Sequence, residues 1–238
     1  MQKVNKNKYF CPKIKMTGRK IYAIIMAGGR GLRMGAGMPK QFLMLGNRPI
    51  LQYTIEKFAH ALPEAKILTV LPRDCFQEWK TLCATHSLDI PQTIVAGGIT
   101  RFHSVLNALK KVPDGAIVLI HDGVRPLVSE ALLRRCVDLM QTERALVPVL
   151  PVTDTIIEED GGPVDRSRLR AVQTPQVFRS EDIKLAYTLP FETSFTDDAS
   201  VARKKEIPLT YIEGERFNIK ITTPDDIRLA EAIMSSGI

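Results

Sequence analysis

The sequence predicts an α/β fold in which helices flank a mostly parallel, twisted sheet. Short, continuously apolar runs rich in Ile, Val and Leu recur along the chain, and such runs are typical of strands buried on both faces. Longer stretches with apolar residues at helical spacing lie between them, an alternation typical of a parallel sheet enclosed by helices. The runs are 21–27, 66–71, 116–120 and 145–152, and the helical stretches are 50–61, 75–86, 101–111 and 130–143.

The pattern changes after Thr155, where short β-prone pieces surround the turn 158–163. These pieces predict an exposed hairpin or arm over about residues 154–175 rather than another strand-helix unit. An arm with so little apolar surface needs support, either from its own domain or from a second subunit. Beyond it the sequence predicts a helix at about 181–189, a strand near 209–212 and a last helix after Thr223-Pro224.

The chain of 238 residues, 45% of them hydrophobic, is long enough to bury one substantial core, so we expect a single domain over residues 21–238. The formal net charge of +7 comes from residues 1–20, which hold seven Lys or Arg and no acid. We expect this segment to be a disordered basic tail. The rest of the chain is electrically balanced, which argues against a nucleic-acid-binding face.

Targeting and membrane signals are absent from the sequence. The first 20 residues lack the apolar stretch of a secretory signal, and no apolar run approaches the length of a membrane span. The four cysteines form no Cys-x-x-Cys pair and are too sparse for a disulfide framework, so we expect buried or incidental thiols. These features predict a soluble, cytoplasmic protein that binds neither membrane nor nucleic acid.

A glycine-rich loop follows the first predicted strand and spans residues 27–40, with the sequence Ala-Gly-Gly-Arg-Gly-Leu-Arg-Met-Gly-Ala-Gly-Met-Pro-Lys. Glycines at the carboxyl end of a strand let backbone N–H groups close around phosphate oxygens without interference from Cβ atoms. Arg33 and Lys40 add full positive charges, and Pro39 stiffens the approach to Lys40. The loop therefore predicts a triphosphate site. It is neither a dinucleotide fingerprint, whose third glycine is replaced by Met34, nor a Walker loop, because no Gly-Lys-Ser/Thr follows.

A carboxylate and a guanidinium follow the strand predicted at 116–120, in the segment His-Asp-Gly-Val-Arg-Pro that begins at His121. Ligands bind at the carboxyl edge of an open parallel sheet, and Mg²⁺ at a nucleotide takes one or two carboxylates plus phosphate oxygens. Asp122 is therefore the candidate Mg²⁺ ligand, although an Asp after a strand is also commonly a turn or cap residue. His121 is explained by packing or hydrogen bonding, and we assign it no chemistry.

Several other polar segments have both a binding and a structural interpretation. Segment 97–105 couples a glycine turn to a helix start and offers backbone groups and Ser104 to a base or ribose, but helix capping explains it nearly as well. Four later segments also have a structural interpretation. Arg166 and Arg170 can be solvated arm residues, and Thr174-Pro175 can be a turn. Asp197-Asp198 can be a helix cap, and Lys220 can be an exposed cation. Only their occurrence together with the loop favours the binding interpretation.

Eight sequence motifs follow one another between about residues 21 and 234. They are Ala-Gly-Gly-x-Gly-x-Arg-Met-Gly with Pro-Lys-Gln-Phe, Gly-Gly-x-x-Arg-x-x-Ser-Val, His-Asp-x-x-Arg-Pro, Asp-Thr, Val-Asp-Arg, Gln-Thr-Pro-Gln, Thr-Asp-Asp-Ala-Ser and Asn-Ile-Lys-Ile-Thr. In order and spacing they resemble the methylerythritol phosphate cytidylyltransferase family. The resemblance implies a Rossmann-like nucleotidyltransferase fold, a homodimer with exchanged arms, Mg²⁺, and transfer of the CMP moiety of CTP to 2-C-methyl-D-erythritol 4-phosphate with release of pyrophosphate.

The resemblance also implies roles for individual residues. Lys40, Arg33 and Lys220 would hold the triphosphate or the transferring phosphate and act in catalysis, and Asp122 would bind the metal. The residues expected around CTP are Ala27, Gly28, Gly29, Gly31, Gly98, Arg101 and Ser104. Those expected around the acceptor are Arg125, Thr155, Arg166, Thr174 and Thr196, of which Arg166 and Thr174 would reach the acceptor phosphate from the arm of a second subunit.

Two residues depart from the family pattern, and three alternative functions stay open. Gly123 replaces an alanine usual after His-Asp, and Ile99 occupies a position that often carries a polar residue near the base. A ribitol 5-phosphate cytidylyltransferase shares the loop, the Asp and the Asn-Ile-Lys segment, although segments 164–166 and 196–200 favour the erythritol enzyme. The missing third glycine of the dinucleotide fingerprint argues against a dinucleotide-dependent oxidoreductase. The retained charged residues argue against a nucleotide sensor without catalytic activity.

Overall fold

The structure is a computed structural model that describes residues 18–29 and 39–237, and the structural statements below refer to these residues. Of the predicted basic tail, only residues 18–20 fall within the described ranges. Gly31 and Arg33, both predicted to contact the triphosphate, lie outside the described residues.

Within these ranges the chain forms ten strands and seven α-helices, and every strand and helix predicted above is present within a few residues of its predicted bounds. The strands are β1 (Ile21–Met26), β2 (Met44–Leu45), β3 (Arg48–Pro49), β4 (Lys66–Leu71), β5 (Gln92–Ala96), β6 (Ile117–Asp122), β7 (Ala145–Pro151), β8 (Arg170–Val172), β9 (Gln176–Arg179) and β10 (Thr210–Glu213). The helices are α1 (Ile50–Ala61), α2 (Phe76–Thr85), α3 (Arg101–Leu109), α4 (Glu130–Leu139), α5 (Ser180–Ala186), α6 (Asp198–Lys204) and α7 (Pro224–Ser235).

The main sheet has eight strands in the order β10-β7-β9-β6-β1-β4-β5, with β8 paired to the carboxyl end of β7. β1 pairs in parallel with β4 and β6, β4 with β5, and β10 with β7, whereas β9 runs antiparallel between β6 and β7. The predicted α/β fold with a mostly parallel sheet is confirmed. The sequence did not predict β5 or β9, which are stabilised by pairing with strands distant in sequence.

Both faces of the sheet are buried, as the residues of β1 show. Ala23 and Ile25 belong to a hydrophobic cluster that includes residues of α1, α2 and α4, whereas Tyr22 and Ile24 belong to a second cluster with residues of α3, α5 and α6. Successive residues of a strand point to opposite faces, so β1 contributes to two cores. This double burial explains why the strand is a continuous apolar run and does not alternate with polar residues.

Residues 152–172 leave the sheet after β7 and return as β8. Ile157 and Pro163 form an isolated bridge across the turn, and Gly161, at a φ of +91°, supplies the left-handed conformation that the turn requires. A single 3-10 turn, Arg166–Arg168, follows. Ile157 is 63% exposed, so the described chain leaves this apolar side chain of the arm uncovered.

No helix of residues 18–29 and 39–237 is long and apolar enough to cross a membrane. Cys75 and Cys136 are buried and Cys83 is partly buried, in agreement with the prediction of buried or incidental thiols. Cys11 lies outside the described residues.

Candidate active site

Most of the predicted nucleotide-site residues that the structure describes gather at the carboxyl edge of the sheet. β1 and β6 pair in parallel so that Met26 lies opposite Asp122, and the segments after both strands open on the same side. A cleft of about 270 Å³ lies there. Its lining includes Ala27, Gly28, Gly29, Lys40, Gly98, Arg101, Ser104, Asp122 and Lys220.

A larger cavity of about 400 Å³ lies at the amino edge of the sheet, beside Arg19, the end of α1 and one face of α4. Its lining contains none of the predicted site residues, and most of its surface is apolar. The smaller cleft is the better candidate for an active site because charged groups from four separate segments meet there, and perturbed charged groups in a cleft are typical of functional sites.

Gly98 is a position where the cleft requires the absence of a side chain. A Cβ on Gly98 would lie 2.4 Å from Cβ of His103, which is far too close for two carbon atoms. The N–H of Gly98 donates to Oγ of Ser104 at 2.9 Å, and that hydroxyl donates to the carbonyl of Thr100 at 2.9 Å. Ser104 is 4% exposed, so its hydroxyl shapes the wall of the cleft by holding this turn.

Lys40 enters the cleft from a short helical turn, Lys40–Phe42, that begins directly after Pro39. Gln41 is buried and donates from Nε2 to the carbonyl of Ala27 at 2.7 Å, which holds the two ends of the glycine-rich loop together. Lys40 Nζ lies 3.4 Å from the carbonyl of Ile221. These contacts place the Lys40 ammonium beside the segment that carries Lys220.

Asp122 is the acidic centre of the cleft. Its Oδ2 lies 3.1 Å from Nζ of Lys220 and 3.3 Å from Nε of Arg125. Burial by itself raises the pKa of the Asp122 carboxyl, but the positive charges of Lys220, Arg101 and Arg125 outweigh burial and hold the pKa well below its usual range. The carboxylate is therefore ionised at neutral pH and available to a cation.

A buried carboxylate that is remote in sequence holds Arg101 in the wall of the cleft. Two guanidinium nitrogens of Arg101 donate to the two carboxylate oxygens of Asp198 at 2.8 and 2.6 Å, and the hydroxyl of Tyr187 donates to Asp198 at 2.6 Å. Burial lowers the pKa of Arg101, but the charge of the fully buried Asp198 outweighs burial and raises it above its usual range. The bidentate pair gives the guanidinium a fixed orientation.

Sequence reasoning missed this role of Asp198. The sequence allows either a helix cap or a binding role for the pair Asp197-Asp198, and Asp197 does form a capping box with Ser200 at the start of α6. Because one carboxylate is enough for the cap, the presence of a second, adjacent Asp was the signal that the pair does more. Nothing local in the sequence connects Asp198 to Arg101, which lies 97 residues earlier.

Thr174 lies behind Asp122 on the same chain. Its hydroxyl oxygen lies 3.0 Å from the backbone nitrogen of Asp122 and 3.1 Å from Nδ1 of His121. Thr174 is 6% exposed, and its acceptor-binding role stays a prediction. His121 is fully buried, and burial lowers its pKa to about 4, which leaves the ring neutral at neutral pH.

The other residues expected around the acceptor are dispersed. Arg125 lies beside Asp122 and donates from a guanidinium nitrogen to the carbonyl of Asn218 at 2.7 Å. Thr155 and Arg166 lie on the arm, outside the described lining of the cleft. Thr196 lines a separate open pocket in front of α6. The described residues of one chain therefore bring together most of the groups expected around CTP but only part of those expected around the acceptor.

The cleft offers one carboxylate to a metal ion. Asp122 is the only acid among its described lining residues, and the described ranges contain no group of three or more His, Cys, Asp or Glu that could hold an ion. A divalent cation at Asp122 would therefore take most of its ligands from another molecule. The phosphate oxygens of a nucleotide supply such ligands, and Mg²⁺ in nucleotide sites is commonly bound in this way.

The fold and the cleft define a class of protein: an α/β enzyme that acts on nucleotide phosphates, with a glycine-rich loop, two lysines and a metal-competent carboxylate at the carboxyl edge of its sheet. Comparison with known proteins narrows the class. Residues 21–236 match the family described as 2-C-methyl-D-erythritol 4-phosphate cytidylyltransferase. The chain belongs to this family.

Curated relatives and solved structures agree with the family match. The chain is 46% identical to the Porphyromonas gingivalis 2-C-methyl-D-erythritol 4-phosphate cytidylyltransferase over 222 residues, covering 92% of this chain and 99% of that protein. It is 45% identical to the Bacteroides fragilis protein of the same name over 215 residues, covering 89% and 98%. The crystal structure of the Thermus thermophilus enzyme aligns with a TM-score of 0.72 at 32% identity, covering 91% of this chain and 99% of that one.

Proposed function

We propose that the protein transfers the CMP moiety of CTP to 2-C-methyl-D-erythritol 4-phosphate. The products are 4-diphosphocytidyl-2-C-methyl-D-erythritol and pyrophosphate, and the reaction belongs to isoprenoid precursor biosynthesis. The observation that carries the proposal is the meeting of Lys40, Asp122 and Lys220 in one cleft of a chain that matches this family over residues 21–236. Family membership does not favour the ribitol 5-phosphate alternative. A cytoplasmic location stays a prediction from the sequence.

The chemistry suits a cleft whose described lining holds three cationic side chains and no histidine. An oxygen of the acceptor phosphate attacks the α-phosphorus of CTP, and the bond from that phosphorus to the β-phosphate oxygen breaks, so that pyrophosphate leaves. A phosphate monoester is already an anion at neutral pH, so the attack needs no proton transfer. Lys40, Lys220 and Arg101 would align the phosphates and stabilise the negative charge that develops on the α-phosphate oxygens.

We propose Mg²⁺ as the metal at Asp122, because one ionised carboxylate beside a triphosphate fits the oxygen ligands that Mg²⁺ prefers. When bound, the ion would neutralise phosphate charge and orient the triphosphate. Asp122 would hold it from the protein side, and Lys220 and Arg125, now 3.1 and 3.3 Å from the carboxylate, would keep that side chain in place.

An assay of pyrophosphate release tests the proposed function directly. We expect release from CTP only when both the acceptor and Mg²⁺ are present, with 2-C-methyl-D-erythritol 4-phosphate turned over faster than ribitol 5-phosphate. Faster turnover of ribitol 5-phosphate would reject the proposed acceptor. Binding of CTP without any release of pyrophosphate would instead indicate a nucleotide-binding protein without transferase activity.

We further propose a homodimer with exchanged arms, in which Thr155 and Arg166 of one subunit face the acceptor site of the other. The support is that both residues lie on the arm outside the cleft of their own chain, and that Ile157 on the same arm is 63% exposed. Between β7 and β8 the described arm has one isolated bridge, Ile157 with Pro163, and one 3-10 turn, and a segment with so little pairing of its own needs support from another surface, which a second chain would supply. Arg166, with its planar pair of donors, suits the acceptor phosphate.

Complementation between two inactive variants tests the exchange of arms. In a mixed dimer of Arg166→Ala and Lys40→Ala subunits, one site would combine an intact Lys40 with the partner's intact arm, and the other site would lack both residues. Random reassociation of equal amounts should restore about a quarter of the wild-type activity per subunit, since half of the dimers are mixed and each has one complete site. Absence of any recovery after verified subunit exchange would show that each site uses its own arm.

A further inference from the structure

Asp198 is a fully buried carboxylate that lies outside the described lining of the cleft and takes no part in the mechanism above. Its two oxygens accept from the two terminal nitrogens of Arg101 at 2.8 and 2.6 Å, and Arg101 lines the cleft together with Lys40 and Lys220. A buried ion pair is a weak source of stability, because the loss of hydration offsets much of the attraction between the charges. Orientation of the arginine is therefore the better explanation for this carboxylate.

Tyr187 supports the carboxylate of Asp198 from another direction. Its hydroxyl donates to Oδ1 of Asp198 at 2.6 Å. Tyr187 is 3% exposed, and its ring stacks on that of Phe102, the residue after Arg101, with ring centroids 4.6 Å apart. Phe195 also stacks on Phe102, with centroids 5.8 Å apart. Ring packing therefore fixes the hydroxyl of Tyr187 relative to the start of α3, where Arg101 lies.

The side chain of Gln176 in β9 fixes the backbone on both sides of Asp198. Its Nε2 donates to Oδ2 of Asp197 at 2.7 Å, and its Oε1 accepts from the N–H of Ala199 at 2.8 Å. Gln176 is 1% exposed and pairs with β6 two residues before Asp122. The start of α6, which carries Asp198, is therefore anchored to the strand that leads into the cleft.

Arg101 keeps hydrogen-bond donors for a ligand after it has paired with Asp198. A guanidinium has five N–H groups, and Asp198 accepts from two of them. Within residues 18–29 and 39–237 the side chain of Arg101 makes no further hydrogen bond, and it is 30% exposed where it lines the cleft. Because phosphate oxygens match the planar fork of a guanidinium as a carboxylate does, the remaining donors suit a phosphate of the nucleotide.

We infer that Asp198 and Tyr187 are positioning residues that orient the guanidinium of Arg101 toward the phosphates of CTP. The inference rests on the proposed function, since it takes CTP as the ligand of the cleft. Loss of the orientation weakens the binding of phosphate and leaves the binding of the base and ribose unchanged. A purely structural role of Asp198 would instead disturb the whole start of α3, including the turn between Gly98 and Ser104, and would weaken the binding of every part of the nucleotide.

The affinities for CTP and for cytidine, measured by calorimetry with Mg²⁺ and without acceptor, separate these roles. Asp198→Asn keeps the size of the side chain but replaces one acceptor oxygen by a donor. We expect it to weaken CTP binding roughly tenfold or more, the typical effect of losing a charge-assisted hydrogen bond, and to change the affinity for cytidine less than about twofold. Tyr187→Phe keeps the stacked ring and removes one hydroxyl, so it should weaken CTP binding about threefold. An equal loss for CTP and cytidine, or no loss for CTP, would overturn the inference.

Combining substitutions tests whether Asp198 acts through Arg101. In an Arg101→Gln background, the further change Asp198→Asn should alter CTP affinity less than about twofold, because two residues that act as a unit have non-additive effects. The same comparison is made by adding Tyr187→Phe to the double variant Arg101→Gln/Asp198→Asn, which has no unpaired buried charge and therefore folds more readily than Arg101→Gln alone. A further loss as large as that in the wild-type background would contradict the positioning role.

Asp182→Asn is the matched control for Asp198→Asn. Asp182 lies in α5, is 6% exposed, and accepts from two nitrogens of Arg144 outside the described lining of the cleft. The control should lower the melting temperature and leave the affinity for CTP unchanged. A comparable loss of CTP affinity in Asp182→Asn would assign the effect of Asp198→Asn to stability and refute the inference. Because binding needs no turnover, a protein that shows the expected affinities but releases no pyrophosphate would refute the proposed transfer and leave the positioning role in place.

Discussion

Lys40→Ala is expected to lower turnover about a hundredfold or more, which is the typical effect of removing one preorganised donor from a charge-stabilising site. Lys40 lines the cleft beside Lys220 and begins a short helical turn whose next residue, Gln41, is anchored to the carbonyl of Ala27. The ammonium is therefore held in place before substrate binds, and its charge acts where negative charge increases during the reaction. The measurement is kcat and kcat/KM for CTP at saturating acceptor, by release of pyrophosphate.

Two companion variants make the Lys40 result specific. Lys110→Ala removes an exposed lysine whose amine contacts only Asn107, at 3.4 Å, among the hydrogen bonds of the described chain, and should leave kcat unchanged. Lys40→Arg keeps the charge but replaces a compact ammonium by a planar fork, so we expect an intermediate loss. Turnover of Lys40→Ala close to the wild-type rate, with the fold retained by circular dichroism, would remove Lys40 from the catalytic machinery.

Asp122→Asn is expected to reduce kcat by about a hundredfold or more at physiological Mg²⁺, because the one described carboxylate of the cleft is lost and the metal is worth several kcal/mol of charge stabilisation. The substitution keeps the size of the side chain. It also leaves Lys220 and Arg125 without the charge that they now flank at 3.1 and 3.3 Å. A titration of activity with Mg²⁺ should show a large increase in the concentration required for half-maximal rate.

Asp114→Asn is the matched control for this substitution. Asp114 is 76% exposed and pairs with Lys184 away from the cleft, so the loss of its charge should change neither kcat nor the Mg²⁺ requirement. An Asp122→Asn enzyme that has wild-type kcat and an unaltered Mg²⁺ requirement would show that the ion is held without this carboxylate.

Long, strongly patterned elements were predictable from the sequence, whereas β9 was not. β1 and α1 have continuous apolar or helical patterns, and the structure reproduces their bounds closely. β9 is four residues long, and its position between β6 and β7 is decided by pairing with strands 25 or more residues away in sequence. Short strands carry little local information, because their stability comes from neighbouring strands and from burial.

Local sequence alone predicted the α/β fold, which the structure confirms, and a glycine-rich, cationic phosphate site at the end of the first strand, since glycine spacing, charge and apolar runs are local properties. Only the tertiary structure decided which buried residues support the side chains of that site. Asp198 orients Arg101 across 97 residues, and Thr174 supports Asp122 across 52. The order of strands in the sheet determines such contacts. The sequence by itself does not distinguish a polar side chain that faces a ligand from one that is buried next to the site.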